Sequence, residues 1–265
     1  MLLPWQKYVL GEIFGRLKDD GTRQFRQAYI EIPKKNGKST LLAGISLYVL
    51  LADGEPGAEI YGAASDREQA GIIYREAASM VRSSPSLSKV LEVVDSRKSI
   101  IHKASNSFYR VLSADAFRAE GLNIHCLLFD ELHAQRGDRR LWDALRYGGA
   151  ARRQPLVLSI TTAGEANKTH LWYEQHDYAE RCIADPTFDP AFFGCIYAAD
   201  REDDWQDPAI WQKANPSLNY TITEDSFAAD CKEAANSATK LSSFLRYRLN
   251  IPTTTETRWV RPDQI

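Results

Sequence analysis

The segment at residues 30–40, with the sequence IEIPKKNGKST, has the pattern of a strand end, a tight turn and the start of an apolar helix. Its turn closes with Gly37, Lys38 and Ser39, the order found in loops that bind phosphate. Glycine lets the backbone approach a phosphate, lysine can reach the β- and γ-phosphates, and serine can ligate Mg²⁺. The N-terminus of the following helix adds unpaired N–H donors. This segment therefore predicts a strand–loop–helix unit that binds a phosphorylated ligand.

One position departs from the usual phosphate-binding pattern. Ile32, followed by Pro33, stands where the pattern has its first glycine, five residues before Gly37. Two interpretations therefore stay open at this point: a variant phosphate-binding loop, or a basic turn that begins a helix. A second motif elsewhere in the chain is needed to choose between them.

The bulk composition is that of an ordinary globular protein. The 265 residues are 44% hydrophobic and 26% charged, which is enough chain to bury a sizeable core. The net charge is −2, so no overall field attracts nucleic acid and any DNA contact has to be local.

The cysteines, the histidines and the N-terminus argue against several other classes of protein. The histidines lack ligand spacing, and the four cysteines are far apart without a C-x-x-C pair, which predicts reduced thiols and no structural metal site. Those cysteines are Cys126, Cys182, Cys195 and Cys231. The N-terminus lacks a signal-peptide pattern, and the longest apolar stretch, 41–52, is too short to span a bilayer. We therefore expect a soluble, intracellular protein.

Apolar runs and helical periodicity alternate along the first 200 residues. The predicted strands are 28–32, 59–64, 125–129, 155–160 and 192–198, with two or three more among short runs at 89–94, 99–103 and 107–112. The predicted helices are 5–17, 39–52, 66–82, 138–150, 167–183, 207–213 and 223–247. This alternation indicates an α/β fold with an open, mostly parallel sheet and helices on both faces. Ligands of such sheets bind beyond the carboxyl ends of the strands.

Two adjacent acids, Asp130 and Glu131, follow the continuous apolar run at 125–129, which suits a strand buried on both faces. An ATPase with a phosphate-binding loop needs a strand-end acid for the Mg²⁺ shell, here Asp130, and a base that orients water, here Glu131. The alternative is that the acids cap the next helix. Because the pair lies 92 residues after Lys38, with several strands between, the nucleotide interpretation is favoured.

The next predicted strand ends in hydroxyl side chains, in the sequence SITTAG at 159–164. Small hydroxyl residues that leave a strand beside a γ-phosphate can sense it and relay its loss to a neighbouring element. A turn that caps the following helix is the alternative.

Five motifs in this order give the chain a resemblance to a known family. They are PWQ at 4–6, PKKNGKS at 33–39, FRAEGLN at 117–123, LFDELHAQ at 128–135 and SITTAG at 159–164. Together they resemble the ATPase domain of the large terminase subunit of tailed phages, over essentially the whole chain. The resemblance implies a RecA-like (ASCE) P-loop NTPase fold with a small helical C-terminal lid. It also implies a Mg²⁺-dependent ATPase motor that drives double-stranded DNA into a procapsid.

The resemblance also implies roles for individual residues. ATP contacts are implied for Gln6, Lys34, Lys35, Asn36, Gly37, Lys38, Ser39, Thr40, Thr161 and Thr162. Among these, Gln6 resembles the adenine-reading glutamine, and Thr161 and Thr162 match the coupling motif. Ser39 and Asp130 would hold Mg²⁺, and Glu131 would be the catalytic glutamate, with Lys38 on the phosphates.

An arginine finger is implied at Arg118, in the region where the family places an arginine that acts on the neighbouring subunit. Such a finger typically contributes on the order of 10³–10⁵ in rate. An ordinary surface arginine is the alternative interpretation of Arg118, and Lys34 and Lys35 are candidates for a substitute in cis.

The resemblance divides the chain into two parts. Residues 1–200 are expected to form the P-loop ATPase core, and 201–265 a helical lid subdomain with the start of a linker to a nuclease domain. The nuclease domain itself is expected to be absent, and no nuclease activity is expected.

The partners that the resemblance implies are double-stranded DNA, the portal protein, the small terminase subunit and further copies of the chain in a ring, a pentamer on the capsid. No membrane partner is expected, and the location implied is the cytoplasm of an infected or prophage-bearing bacterium. A strip of six arginines within 136–153 is a candidate DNA contact. A solvated helix face or a subunit contact is an equally good interpretation of that strip.

Two alternatives to a packaging motor stay open. The sequence DELH at 130–133 also fits the first RecA-like domain of a DExH-type helicase or translocase, although 265 residues leave no room for the second such domain. If Ile32 spoils the loop, the chain is instead a nucleotide-binding scaffold that does not hydrolyse ATP.

Overall fold

The computed structural model describes residues 1–64, 67–112, 122–134, 139–166 and 170–253. Within these ranges eight strands form one sheet. They are β1 Gln27–Glu31, β2 Glu59–Ala63, β3 Glu92–Val94, β4 Ser99–His102, β5 Ser107–Val111, β6 Ile124–Asp130, β7 Leu156–Thr161 and β8 Phe192–Ile196. Their spatial order is β3-β4-β5-β2-β6-β7-β1-β8. The pairs β3–β4 and β4–β5 are antiparallel and every other pair is parallel.

Nine α-helices accompany the sheet in the described ranges. They are α1 Pro4–Gly15, α2 Lys38–Ala52, α3 Arg67–Ser83, α4 Pro85–Val90, α5 Arg140–Arg146, α6 Leu171–Ala184, α7 Pro208–Ala214, α8 Glu224–Ala235 and α9 Ala238–Arg248. The predicted fold class, a mostly parallel α/β sheet with helices on both faces, is confirmed.

Two apolar clusters cover the two faces of the sheet. Side chains of α1, α2 and α3 form the first cluster with Ala28, Ile30 and Leu128, while α5 and α6 form the second with Tyr29 and Phe129. Successive residues of a strand point to opposite faces, so β1 and β6 contribute to both clusters. All seven residues of β6 are buried, as expected of a central parallel strand.

A third apolar cluster lies in the helical segment after the sheet. Trp211 of α7, Phe227 of α8 and Phe244 of α9 pack in sequence, with a tilted ring pair at 5.0 Å and an edge-to-face pair at 5.4 Å between centroids. The cluster runs from Ala199 to Ile251, so the helices α7–α9 bury their apolar faces against one another. The proposed division of the chain at residue 200 stays a prediction.

Several helix boundaries differ from the sequence expectations. The helix predicted over 223–247 is two helices, because Asn236 bonds back to the Lys232 carbonyl and Ser237 starts a new helix by capping Lys240. The helix predicted over 138–150 is the shorter α5, which is followed by turns at 147–153. The short helix α4 was not predicted, and β3 takes up only the end of the run at 89–94.

None of the helices in the described part of the chain has the length and apolar character needed to cross a membrane.

Candidate nucleotide site

Three neighbouring strands end side by side at the carboxyl edge of the sheet. β1 and β6 both pair with β7, so Glu31 lies beside Thr161 and Asp130 lies beside Ile160. The loop after β1, residues 32–37, continues into α2 and is called the phosphate loop below. The three motifs singled out in the sequence therefore meet at one edge, as the parallel topology predicts.

The phosphate loop turns through two residues in the left-handed backbone region, Lys35 with φ 72° and Gly37 with φ 85°. Gly37 adopts this conformation without strain. Lys35 has a Cβ, so the same backbone conformation costs it conformational free energy. Ile32 is fully buried in the first apolar cluster and has no positive φ. The loop therefore forms without the usual first glycine. The position is filled by a buried apolar side chain in an ordinary backbone conformation, so the conformational freedom of glycine is not required there.

Lys38, at the start of α2, points back into the phosphate loop. Its Nζ donates to the carbonyls of Ile32 and Pro33, both at 3.2 Å, and to Thr162 Oγ1 at 2.9 Å. Nζ is also 3.9 Å from Glu131 Oε1. Burial lowers the pKa of Lys38, and the nearby carboxylates of Glu131 and Asp130 oppose that change. The lysine thus bonds both to its own loop and to the end of the neighbouring strand β7.

Asp130 is completely buried, and neither of its carboxylate oxygens receives a well-formed hydrogen bond from the described residues. Burial, followed by the charge of Glu131, raises its pKa to about 7. Lys38, the Glu131 backbone and Gln69 offset only part of this rise. A buried carboxylate with spare oxygens suits a hard divalent cation, which accepts oxygen ligands and restores the charged form.

Glu131 leaves β6 in the left-handed region, with φ 52°, while its N–H donates to the Ile160 carbonyl at 3.0 Å. Its Oε2 is 2.9 Å from Nδ1 of His133. Burial acts to raise the pKa of Glu131, but the contact with His133 and the charge of Lys38 outweigh it, so the pKa is lowered. Strained residues cluster at functional sites, where the surrounding contacts hold them in place.

The two threonines after β7 contact different parts of the site. Thr161 Oγ1 accepts a hydrogen bond from the His133 backbone N–H at 3.0 Å and lies 3.1 Å from its Nδ1. Thr162 Oγ1 accepts from Lys38. The end of β7 therefore contacts both Lys38 of α2 and His133, which lies beside Glu131.

The remaining predicted contacts lie within the loop, in the first turn of α2 or directly beside the loop. Gln6 is buried, and its Nε2 is 3.5 Å from the point where a Cβ on Gly37 would lie. Ser39 is partly exposed in the first turn of α2, and Lys35 is exposed. The hydroxyl of Thr40 is directed to Glu76 of α3, at 3.5 Å.

Asn36 is buried at the centre of a polar network that sequence reasoning missed. Its Nδ2 donates to Asn215 Oδ1 at 2.9 Å, and its Oδ1 accepts from the Ser217 N–H at 3.2 Å. The Ser217 hydroxyl donates to the Asn36 carbonyl and accepts from the indole of Trp5, beside Gln6. Lys34 adds an N–H bond of 3.0 Å to the Tyr247 carbonyl. The helical segment therefore holds the phosphate loop directly.

A second buried network fixes the root of the loop from the other face of the sheet. Glu31 Oε2 accepts hydrogen bonds from Tyr29, from Trp172 at 3.0 Å and from His176 at 2.9 Å. Burial acts to lower the pKa of His176, but Glu31 outweighs it and the pKa is raised. This network connects the end of β1 with α6.

The arginine finger and the arginine strip are the two site predictions that are left to compare with the structure. Arg118 lies outside the described residues, so its role stays a prediction. Within the arginine strip, Arg139 pairs with Asp143 and Glu174, while Arg152 bonds Glu55 and neighbouring carbonyls. These arginines are thus engaged within the chain, and DNA binding by the strip stays a prediction.

The fold and this edge define the class of the protein: a P-loop NTPase with its phosphate loop after β1 and its acids after β6. The model of the family described as "Terminase large subunit, ATPase domain" matches residues 4–181, about two thirds of the chain. The chain therefore belongs to the terminase large subunit family.

Individual relatives agree with this membership. The terminase large subunit of Enterobacteria phage HK97 is 29% identical over 227 residues, 84% of this chain and 44% of that protein. Protein YmfN of Escherichia coli K12 is 32% identical over 134 residues, 51% of this chain and 29% of that protein. The chain thus spans less than half the length of these curated relatives.

Solved structures show the same fold. The crystal structure of the HK97 large terminase has a TM-score of 0.84 at 28% identity, covering 95% of this chain and 51% of that one. The large terminase of a thermophilic bacteriophage, solved in complex with ATP-gamma-S, has a TM-score of 0.61 at 9% identity. It covers 95% of this chain and 53% of that one.

The expectation that the nuclease domain is absent is wrong, and with it the expectation that no nuclease activity belongs to this chain loses its basis. The model described as "Terminase large subunit, endonuclease domain" matches residues 187–265. The matched range begins before β8, which pairs with β1 in the sheet. Sequence reasoning missed this match because it sought a separate acid-rich domain beyond the chain, whereas the match begins inside the predicted ATPase core.

Proposed function

We propose that the chain binds ATP with Mg²⁺ and hydrolyses it as the motor of DNA packaging. The observation that carries the proposal is the convergence of Lys38, at the start of α2, with Asp130 and Glu131, at the end of β6. Membership of the terminase large subunit family supports the same conclusion.

Lys38 is assigned to the β- and γ-phosphates. Its partners in the structure are carbonyls and a hydroxyl, which a charged phosphate would replace with stronger, charge-assisted bonds. The exchange frees Thr162, so the end of β7 responds to the presence of phosphate. The N–H groups at the start of α2 and of the loop would complete the phosphate cradle, and Gln6 would contact adenine.

Ser39 and Asp130 are the residues that would hold Mg²⁺. The buried carboxylate oxygens of Asp130 and the partly exposed hydroxyl of Ser39 are both oxygen donors of the kind this ion prefers. When bound, the ion would supply positive charge that offsets the negative charge developing on the phosphates in the transition state.

Glu131 is assigned to orient the attacking water and accept its proton. A lowered pKa keeps the carboxylate ionised at neutral pH, as a base has to be. His133 holds the carboxylate, and Thr161 holds His133 in turn, so the base is fixed by β7 as well as by β6.

The motor itself is a larger proposal that rests on the family. We assign double-stranded DNA as the polymer moved, with the portal protein and small terminase subunit as partners, in a ring of copies within the infected bacterium. Arg118 would complete the neighbouring copy's site. A DExH-type helicase domain and a scaffold without hydrolysis are the competing functions.

Steady-state ATP hydrolysis as a function of protein concentration tests the proposal. We expect a rate per subunit that rises with concentration and falls to background in Lys38→Ala, Glu131→Ala and Arg118→Ala. Arg82→Ala is the control, because Arg82 is exposed and pairs with Asp95 far from the site. ATP affinity that is unchanged in Lys38→Ala would favour the scaffold, and strand unwinding by this chain alone would favour the helicase.

A further inference from the structure

A cavity of about 200 Å³ lies beside the nucleotide site, between the sheet edge and α9. It is lined by His133 and Ala134 after β6, by Gly164, Glu165 and His170 after β7, and by Arg246 and Tyr247 of α9. A cavity of this size can hold a phosphate group or a few water molecules.

This cavity adjoins both parts of the machinery that would handle the γ-phosphate. Its His133 contacts Glu131 Oε2 at 2.9 Å. On the opposite wall, the Tyr247 carbonyl accepts the Lys34 N–H at 3.0 Å, and Lys34 Nζ lies 3.9 Å from the centre of the Tyr247 ring. The His133 side chain therefore lies between the cavity and Glu131. The hydrogen bond from Lys34 to Tyr247 connects the opposite wall of the cavity to the phosphate loop.

Arg246 supplies the fixed positive charge of the cavity. Its Nη1 is 3.3 Å from Glu165 Oε1, its Nη2 bonds the Tyr247 hydroxyl, and its buried Nε has no hydrogen-bond partner in the described part of the chain. The side chain is only 18% exposed. A guanidinium has five N–H donors in a planar fork that matches phosphate, so this arginine has donor capacity left for an anion.

We propose that Arg246 binds the terminal phosphate of the nucleotide in cis. The inference rests on the proposed function, and it adds a residue that none of the five sequence motifs contains. The ligand chemistry is a phosphate oxyanion, either the γ-phosphate still attached to ATP or the inorganic phosphate that hydrolysis releases into the cavity. Binding exchanges the long contact with Glu165 for a charge-assisted pair and draws α9 toward the ends of β6 and β7.

An arginine in cis differs from Arg118 in a way that can be measured. Arg246 belongs to the same chain as Lys38 and Glu131, so its contribution to nucleotide binding does not depend on assembly. Dilute protein, in which no neighbouring copy contributes, is therefore the right sample.

The test is equilibrium binding of a non-hydrolysable ATP analogue and of ADP, with Mg²⁺, to the intact chain in dilute solution. The variants are Arg246→Gln, Arg246→Lys and the control Arg248→Gln, whose side chain pairs with Asp230 on α8. Circular dichroism and urea unfolding check that each variant is folded.

For Arg246→Gln we expect affinity for the analogue to fall about tenfold or more while ADP affinity changes less than threefold, since a charged hydrogen bond contributes about 1.5–3 kcal/mol. Arg246→Lys should recover part of the loss, and Arg248→Gln should bind as wild type. Equal losses for the analogue and ADP would mean a structural role and would overturn the inference.

Inhibition of hydrolysis by added inorganic phosphate separates the two sources of the ligand. Unchanged analogue affinity with loss of phosphate inhibition in Arg246→Gln would assign Arg246 to the released phosphate. If neither changes, the inference fails while the proposed function stands. If the wild type binds neither nucleotide, the proposed function itself fails.

Discussion

Two adjacent carboxylates of the site, Asp130 and Glu131, have pKa values shifted in opposite directions. Asp130 is enclosed without a well-formed partner, so burial and the neighbouring charge raise its pKa to about 7. Glu131 is held by His133 and attracted by Lys38, which together outweigh burial and lower its pKa. The opposite shifts therefore come from the surroundings of the two carboxyl groups, and they fit the roles proposed for Asp130 as a cation ligand and for Glu131 as a base.

The raised pKa of Asp130 predicts a pH-dependent cost to folding in the absence of cation. Between pH 4 and 7 the folded state holds a proton that the unfolded state releases, so stability falls as the pH rises through this window. A rise of about three units corresponds to about 4 kcal/mol as an upper bound. We expect Asp130→Asn, without Mg²⁺, to be more stable than wild type at pH 8 and nearly equal to it at pH 4.5, measured by thermal unfolding.

Asp185 provides a control of opposite sign for this prediction. Its hydrogen bonds from Thr187 lower its pKa, so Asp185→Asn should lose stability at pH 8 rather than gain it. An Asp130→Asn variant that is less stable than wild type at pH 8 would show that the buried carboxylate is already compensated.

His133 predicts a change in the pH profile of hydrolysis. Its contact lowers the pKa of Glu131, so His133→Asn should raise that pKa and move the acidic limb of the rate profile to higher pH. The profile of kcat is the measurement, with His102→Asn on β4 as a distant control. An unshifted limb in His133→Asn would contradict the assignment.

The sequence predicts those site residues that lie within local motifs. Lys38 and Asp130 are recognised because a loop–helix start and a strand end position them whatever the rest of the chain does. Asn215 and Arg246 are not recognised, because their contacts with the site depend on how α7–α9 pack, and no nearby spacing records that. In the sequence, His133 is noted only as part of the motif at 128–135. Its contact with Glu131 could not be predicted, because the contact depends on the left-handed backbone of Glu131.

At the scale of elements, the phosphate loop is held by the helical segment as much as by its own strand and helix. Asn36 uses its side chain and its carbonyl on Asn215 and Ser217, and Thr221 donates to the Lys35 carbonyl at 2.7 Å. These groups are remote in sequence and mostly buried. A change in the conformation of the phosphate loop therefore requires these contacts with the helical segment α7–α9 to shift or break.

A double-mutant cycle on Asn36 and Asn215 tests this connection. Each single change to Ala leaves buried polar groups without partners and should cost about 1–3 kcal/mol in the free energy of unfolding. The double variant should cost less than the sum, with a coupling energy of about 1 kcal/mol or more. Urea unfolding measures it, and Asn236→Ala, at an exposed helix end, controls for loss of an amide. Additive costs would mean that the two side chains act independently.

The helices and strands were predicted most accurately where a single pattern of apolar residues runs through the whole element. Strands such as β6 and β7 are unbroken apolar runs, whereas the stretch 223–247 has helical composition throughout. Its break depends on one serine, Ser237, which can either continue a helix or cap a new one. The hydroxyl alone does not indicate which of these it does.

At the scale of the whole molecule, the third apolar cluster and the sheet are joined at the nucleotide site. The Tyr247 carbonyl bonds Lys34, and Asn250 bonds both the Ala163 N–H and the Tyr197 carbonyl. The contacts with the ends of β1, β7 and β8 thus make α9 and the residues after it part of the same edge.

Hydrogen–deuterium exchange tests this continuity. A non-hydrolysable ATP analogue should slow amide exchange in α9 as well as in the first turn of α2, because both contact the phosphate loop. The strand β4, at the other side of the sheet, should be unaffected. In Asn36→Ala the protection of α9 should weaken relative to that of α2. Protection confined to α2 in the wild type would contradict the connection.

The bonds that Lys38 makes with its loop and with Thr162 bear on how the proposed nucleotide would enter and leave the site. On the proposed function, an incoming nucleotide would displace the contacts of Lys38 with Ile32, Pro33 and Thr162, so part of its binding free energy would be spent on freeing the lysine. If the same contacts re-formed as the phosphate left, they would favour release of the product over its retention. A site built this way suits repeated turnover, because resetting after each cycle needs no outside partner for the lysine.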